Sequence, residues 1–310
     1  MEKIRIVSVN ISEKKGTKKI PVDGIELDGH GILNDAHAGN WHRQISLLGT
    51  ESIAKMVPLL GRDIASGEFA ENITTEGYPL YQMKILDRLI SGNVILEVTM
   101  IGKKCHGNNC TIFKETGDCI MPKEGIFCRV VTPGKLQAGD VFEYHPKELK
   151  IKVITVSDRA SRGEYADMSG PLLEELVKDY FAAQGRKTET DLSIVSDDID
   201  GIKALLQKCI VLKYDIVFTT GGTGIGPRDN TPEAIMPFID RTIPGIMELI
   251  RTKYGMQNPN ALLSRGIAGV SNNTLIYTLP GSPKAIKEYA DEILKTIEHS
   301  LKMLKGIDSH

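Results

Sequence analysis

Asp215-Ile-Val-Phe-Thr-Thr-Gly-Gly-Thr-Gly-Ile-Gly-Pro-Arg-Asp229 decides the fold of the second half of this chain. A short apolar, β-branched run that stops at glycines reads as a buried strand delivering a loop. In open parallel sheets, ligands bind beyond the carboxyl ends of strands. Glycines at that point let backbone N–H groups converge on an anion with no Cβ in the way. Thr220 and Thr223 add hydroxyl donors, and Arg228 offers a planar fork suited to phosphate. Thr231-Pro-Glu233 then reads as the N-cap, N1 and N2 of a helix, whose positive end would face the same anion. The segment lacks the Gly-Lys-Ser/Thr ending of a Walker loop and the glycine spacing of a dinucleotide fingerprint. A tight strand-to-helix turn is the plain alternative, but it needs fewer glycines than Gly221, Gly222, Gly224 and Gly226 supply.

The flanking sequence supplies the rest of an α/β domain. Residues 151–156 are an unbroken apolar-rich run, as a buried strand requires. Met168, Leu172, Leu173, Leu176, Val177 and Tyr180 then fall on one helical face. Residues 193–195 predict a short strand. Ile202, Leu205, Leu206, Cys209 and Ile210 predict a helix. A helix over 246–254, a strand over 274–279 and a last helix carrying Ile286, Tyr289, Ile293, Ile297, Leu301 and Leu304 complete the series. Strands alternating with helices predict a parallel sheet covered on both faces.

Three carboxylates fall at the same predicted sheet edge. Asp197-Asp198 follows one strand and Asp229 closes the glycine loop. Acids among phosphates repel unless a cation intervenes, and Mg2+ held by one or two carboxylates plus phosphate oxygens resolves this. Asp197 or Asp198 serves equally well as a helix N-cap, and Asp229 as a turn residue. Val156-Ser-Asp-Arg-Ala-Ser161, Ser169-Gly-Pro171 and Leu279-Pro-Gly-Ser-Pro283 would line the same crevice.

Thr155-Val-Ser-Asp-Arg-Ala-Ser161, Thr220-Gly-Gly-Thr-Gly224 with Arg228-Asp229, Thr231-Pro232 and Leu279-Pro-Gly-Ser-Pro-Lys284 together resemble the MoaB/Mog family of molybdopterin adenylyltransferases. The resemblance spans nearly all of residues 150–305. It implies a three-layer α/β domain with a mostly parallel sheet, trimeric or hexameric. It also implies that the terminal phosphate of molybdopterin attacks the α-phosphate of Mg-ATP, giving adenylylated molybdopterin and pyrophosphate. The family's two key acids fall on Asp197 and Asp229, as ligands of Mg2+. The implied substrate and phosphate contacts are Ser157, Asp158, Ser169, Gly170, Thr220, Gly221, Gly222, Thr223, Gly224, Arg228, Pro280, Gly281 and Ser282. The glycine loop would hold the pterin's phosphate or those of ATP.

Residues 1–146 follow a different grammar. Alternation over 4–9, 19–27, 43–47 and 93–101, with one modest helix near 50–57, predicts a barrel or sandwich. His145-Pro-Lys-Glu-Leu-Lys150 reads as a linker. Cys105 lies beside Lys103, Lys104 and His106, which favours a thiolate suited to sulfur transfer or to a soft metal such as molybdenum. A buried, inert cysteine is the alternative. Cys105, Cys110, Cys119 and Cys128 contain no C-x2-C pair, which argues against structural zinc. His37 and His42 also read as ordinary loop histidines.

Asp35-Ala-His-Ala-Gly39, Glu71-Asn72 and Glu97-Val-Thr with Cys105 resemble the MOSC domain, a mostly-β barrel of molybdenum-cofactor proteins, over about residues 3–144. The implied site is Cys105, His37, Glu71 and Asn72, with Cys105 as a ligand of molybdenum. Ile101-Gly-Lys-Lys104 stands where that family carries Pro-Arg-x-Pro, so cofactor binding is the safer expectation than sulfur transfer. A chain of 310 residues accommodates two such domains, and linked handling of one cofactor is the economical reading.

Composition narrows the partners. A net charge of −2 without a long basic run argues against nucleic acid and anionic membranes. Aromatic content of 5% argues against base-stacking surfaces. No apolar stretch approaches the ~18 residues of a membrane span, and residues 1–10 lack the apolar core of a secretory signal, so cytoplasm is expected. A pterin carrier without turnover, or a MOSC-centred reductase acting on sulfur or N-hydroxylated bases, are the rival expectations.

Overall fold

Every residue of the strand Ile216–Thr220 is buried, as its apolar run demands. It belongs to the second of two compact units, which meet in sequence between Lys147 and Glu148. This computed structural model describes residues 2–103 and 111–307.

The first unit contains β1 (Lys3–Ile11), β2 (Ile20–Val22), β3 (Gly24–Asp28), β4 (Gly31–Ile32), β5 (Ile45–Gly49) and β6 (Ile73–Glu76). It continues with β7 (Arg88–Ser91), β8 (Val94–Ile101), β9 (Ile126–Thr132), β10 (Gly134–Gln137) and β11 (Val141–His145). Seven of these close into a barrel in the order β11, β7, β8, β9, β5, β6, β1, because β1 pairs with both β6 and β11. β5 and β6 run parallel, whereas the other barrel neighbours run antiparallel. Alternate residues point inward, so Ile4, Ile6, Leu47, Ile73, Leu96 and Phe142 fill the interior.

The single strand expected over 19–27 is two strands in two sheets. β2 hangs from β1, whereas β3 joins β4 and β10 in a separate three-stranded sheet. Pro21 has no N–H to donate to a ladder, and Asp23-Gly24 turns the chain between them. The helix expected near 50–57 is two single turns, Thr50–Ile53 and Val57–Leu60, the second opened by Pro58.

The second unit contains β12 (Glu148–Val156), β13 (Lys187–Val195), β14 (Ile216–Thr220), β15 (Arg241–Thr242), β16 (Ala268–Ser271) and β17 (Thr274–Leu279). Their order is β13, β12, β14, β17, β16, β15. The first four are parallel, as expected, whereas β16 and β15 add an antiparallel margin, too short to carry a pattern in the sequence. One face carries the helices Ser169–Ala183, Pro244–Gly255 and Pro283–Leu304, packed through Leu173, Val177, Phe181, Ile250 and Ile293. The other carries Ile199–Val211 and the short helix Thr231–Ile235, packed through Ile202, Leu206 and Ile235. Along β14, Ile216 and Phe218 enter the first core and Val217 the second, so both faces are covered. The result is the three-layer α/β arrangement with a mostly parallel sheet. Its four parallel strands deliver Ser157, Ser196, Gly221 and Pro280 to one edge. No helix among the described residues is long and apolar enough to cross a membrane.

Candidate functional site

The glycine loop is pressed between the ends of β12 and β17. Gly221 N–H donates to Leu279 O at 2.9 Å, and the Thr231 hydroxyl donates to Gly221 O at 2.8 Å. Gly221 and Gly222 hold φ of +105° and +62°, the region that favours glycine. A Cβ on Gly221 would collide with the Val156 carbonyl oxygen. Two details differ from the sequence reading. The Thr220 hydroxyl donates to Pro280 O at 3.0 Å and is therefore committed within the fold. Thr231 does not cap the helix that follows: that helix has five residues, its N-cap is Asn230, and it is too short for an appreciable dipole.

The adjacent acids separate by role. Asp198 is the N-cap of helix Ile199–Val211, accepting from Gly201 N–H at 2.8 Å. Asp197 turns instead to the loop after β12. Its Oδ2 accepts from Asp158 N–H at 2.8 Å, while its own N–H donates to Asp158 Oδ1 at 3.0 Å. Arg228 does not project into the crevice as an open fork, because its Nε donates to Asp158 Oδ2 at 3.0 Å. Asp229 Oδ2 accepts from Gly226 N–H at 2.8 Å.

Both acids lie against the glycine loop. A Cβ on Gly222 would stand 3.4 Å from Asp197 Oδ1, and Cβ atoms on Gly224 and Gly226 would stand 2.7 and 2.9 Å from Asp229 Oδ2. Burial raises the Asp197 carboxyl above its usual range, and the charges of Asp158 and Asp229 add to this, against Arg228. Asp158 is held below its usual range, chiefly by the Asp197 N–H and then by Arg228. Three carboxylates at one crevice concentrate negative charge where a cation would be welcome. Among the described residues, no group of three or more His, Cys, Asp or Glu is arranged to hold a metal. Asp197 and Asp229, both against the glycine loop, are the carboxylates that could hold a cation here.

Two cavities share this edge. The larger, about 580 Å³, is bordered by Ser157, Asp158, Ser169, Asp197, Thr220 and Gly221, with Tyr165 and Arg159 at its side. The smaller, about 320 Å³, is bordered by Thr223, Gly224, Asn258, Asn260, Pro280 and Lys284. Gly222, Asp229, Gly281 and Ser282 border both. Gly170 and Arg228 border neither. Gly170 instead permits close packing, since its Cβ would stand 2.6 Å from Thr155 Oγ1. Tyr165, Asn258 and Asn260 escape the sequence pattern, because isolated polar or aromatic residues in short connections carry no periodic signal, whereas Lys284 ends the Leu279-Pro-Gly-Ser-Pro-Lys284 motif and sits in the first turn of helix Pro283–Leu304.

In the first unit, Lys19 and Asp35 form a buried pair at 2.5 Å, and Lys19 Nζ lies 3.3 Å from His37 Nδ1. Burial, then the charges of Lys19, Lys103 and Lys15, lower the His37 pKa to about 4, so the ring is neutral at neutral pH. Glu71 is buried and accepts from Gly67 N–H, Phe69 N–H and the Thr74 hydroxyl. Burial raises its carboxyl. Asn72 accepts from Ser46 N–H and donates to Asn10 O, tying β6 to β5 and β1. Glu71 and Asn72 thus shape the barrel's loops. Cys105 and Cys110 lie outside the described residues. Cys119 and Cys128 are buried, and burial pushes the Cys128 thiol far up.

Residues 152–299 match the family described as a probable molybdopterin binding domain, and residues 34–143 match the MOSC domain. Over 159 residues the chain is 38% identical to the molybdopterin adenylyltransferase of Helicobacter pylori, covering 51% of this chain and 89% of that protein. The chain belongs to the MoaB/Mog family, with a MOSC domain ahead of that unit. The MoaB/Mog domain is also 38% identical over 166 residues to gephyrin of Dictyostelium discoideum, of which it spans 23%. Among solved structures, a molybdopterin biosynthesis protein from Mycobacterium abscessus is 33% identical, with a TM-score of 0.46, over 50% of this chain and 96% of that one. Asp197, Asp229 and the glycine loop lie inside the MoaB/Mog match, and His37, Glu71 and Asn72 inside the MOSC match.

Proposed function

We propose that the MoaB/Mog domain adenylylates molybdopterin with ATP in molybdenum cofactor biosynthesis, and that the MOSC domain binds the cofactor or handles its sulfur. The carrying observation is that Asp229 and Gly222 border both cavities, so a carboxylate stands where two ligands would meet. An oxygen of molybdopterin's terminal phosphate forms a bond to the α-phosphorus of ATP. The bond from that phosphorus to the bridging oxygen breaks, and pyrophosphate leaves. The nucleophile is already ionised, so positioning and charge neutralisation dominate over base catalysis. Backbone N–H groups of the glycine loop orient phosphate oxygens, and Ser282 and Gly281 close the edge between the ligands. Asp197 and Asp229 would hold a magnesium ion, which would supply positive charge beside the phosphates. In the MOSC domain, His37 and Cys105 are the candidate cofactor contacts. The same family reading carries a cytoplasmic homo-oligomer, trimeric or hexameric through the MoaB/Mog domain.

The test is incubation of the full chain with molybdopterin and ATP, followed by mass spectrometry of the product and measurement of pyrophosphate. Asp229→Ala is expected to abolish both signals while melting near the wild-type temperature. Molybdopterin binding by the wild type without pyrophosphate release would favour a carrier.

A further inference from the structure

Arg265 stands outside the crevice, between the single-turn segment Pro259–Leu263 and β16. Its backbone N–H donates to Thr223 O at 2.8 Å, and its Nε to Gly224 O at 2.6 Å. One terminal nitrogen donates to Asp229 O and the other pairs with the Glu233 carboxylate. A single side chain therefore joins the outgoing limb of the glycine loop, its returning limb and the helix that follows. Asp229 is confined from the inner side as well, by Gly226 N–H and by the bare Cα atoms of Gly224 and Gly226.

We propose that Arg265 is a positioning residue: it fixes the direction of the Asp229 carboxylate and ties it to the wall of the smaller cavity. That wall is the segment carrying Asn258, Asn260 and Ser264, which leads directly into Arg265. The proposal rests on the reading of Asp229 as a ligand of the nucleotide's cation. The chemistry requires a guanidinium, because two carbonyls and a carboxylate in different directions need a planar fork of several donors. Lysine supplies a single point charge. The backbone bond to Thr223 survives any side chain but proline, so substitution loosens the loop without removing its anchor.

The experiment compares the full-length wild type with Arg265→Lys and Arg265→Ala. Mn2+ binding in the presence of ATP is read by electron paramagnetic resonance, adenylyl transfer by pyrophosphate release, and folding by melting temperature. Both variants are expected to melt within a few degrees of the wild type. Their Mn2+–ATP affinity and kcat are expected to fall by about tenfold to a hundredfold, the range seen when an outer partner of a metal ligand is lost. Guanidinium ion at a non-denaturing concentration should restore part of the kcat of Arg265→Ala, and none to Arg265→Lys, whose ammonium fills the space. Unchanged Mn2+–ATP affinity in both variants overturns the proposal, as does a loss that merely follows the melting temperature. A wild type that binds Mn2+–ATP but releases no pyrophosphate refutes the adenylylation reading alone. The affinities of the two variants then still decide the role of Arg265.

Discussion

Gly221 holds φ at +105° while its Cα faces the Val156 carbonyl oxygen, and Gly163 holds φ at +73° with open space around it. The pair separates two penalties that glycine avoids. At Gly163 an alanine meets only the backbone strain of the left-handed region, about 1 kcal/mol. At Gly221 the same strain is joined by a collision with main chain that cannot move without disturbing the end of β12. Gly221→Ala is therefore expected to destabilise by about 3 kcal/mol or more, in the range of strongly disruptive substitutions. Thermal melts of the two variants check this, and equal small shifts would show that the loop tolerates a side chain. The glycine run was legible as a site because its residues are contiguous and their need for positive φ is a property of residue type. Arg265 was not legible, since it meets Gly224 and Asp229 across 41 and 36 positions and belongs to no local pattern.

Helix Ile199–Val211 shows what the neighbouring acids could not reveal alone. Asp caps a helix equally well at either position, so Val-Ser-Asp-Asp leaves Asp197 and Asp198 as candidates. The helix begins at Ile199, which puts Asp198 over Gly201 N–H and leaves Asp197 to turn back toward Asp158. Asp198→Ala is expected to cost about 1 kcal/mol of stability and leave pyrophosphate release near wild type. Loss of turnover with no change in melting would reverse the two assignments. β14 is buried on both faces and reads clearly, whereas β13 alternates between exposed and half-buried residues at the sheet margin. Only its apolar end, residues 193–195, stood out from the polar start Lys187-Thr-Glu-Thr-Asp191. The barrel strands were harder still. β6 is Ile-Thr-Thr-Glu, and its burial comes from closure between β1 and β5 rather than from composition.

At the scale of the molecule, each unit carries its own core. Phe142, with Ile4 and Leu96, fills the barrel, and Phe181, with Leu173 and Val177, packs helix Ser169–Ala183 into the core of the MoaB/Mog domain. Units with separate cores unfold as separate cooperative steps unless an extensive interface couples them. Phe181 is fully buried, so Phe181→Ala removes its transfer energy and leaves a void, together about 3–5 kcal/mol. For a unit of this size the loss corresponds to a fall on the order of 10 °C in its own transition. Phe142→Ala applies the same perturbation to the barrel. Differential scanning calorimetry of the full chain is expected to show two transitions, with Phe181→Ala lowering one and Phe142→Ala the other. If either variant lowered both transitions together, the chain would be folding as one cooperative body. A ligand added to the wild type raises only the transition of the unit that binds it. ATP with Mg2+ should therefore raise the transition that Phe181→Ala lowers and leave the barrel's in place.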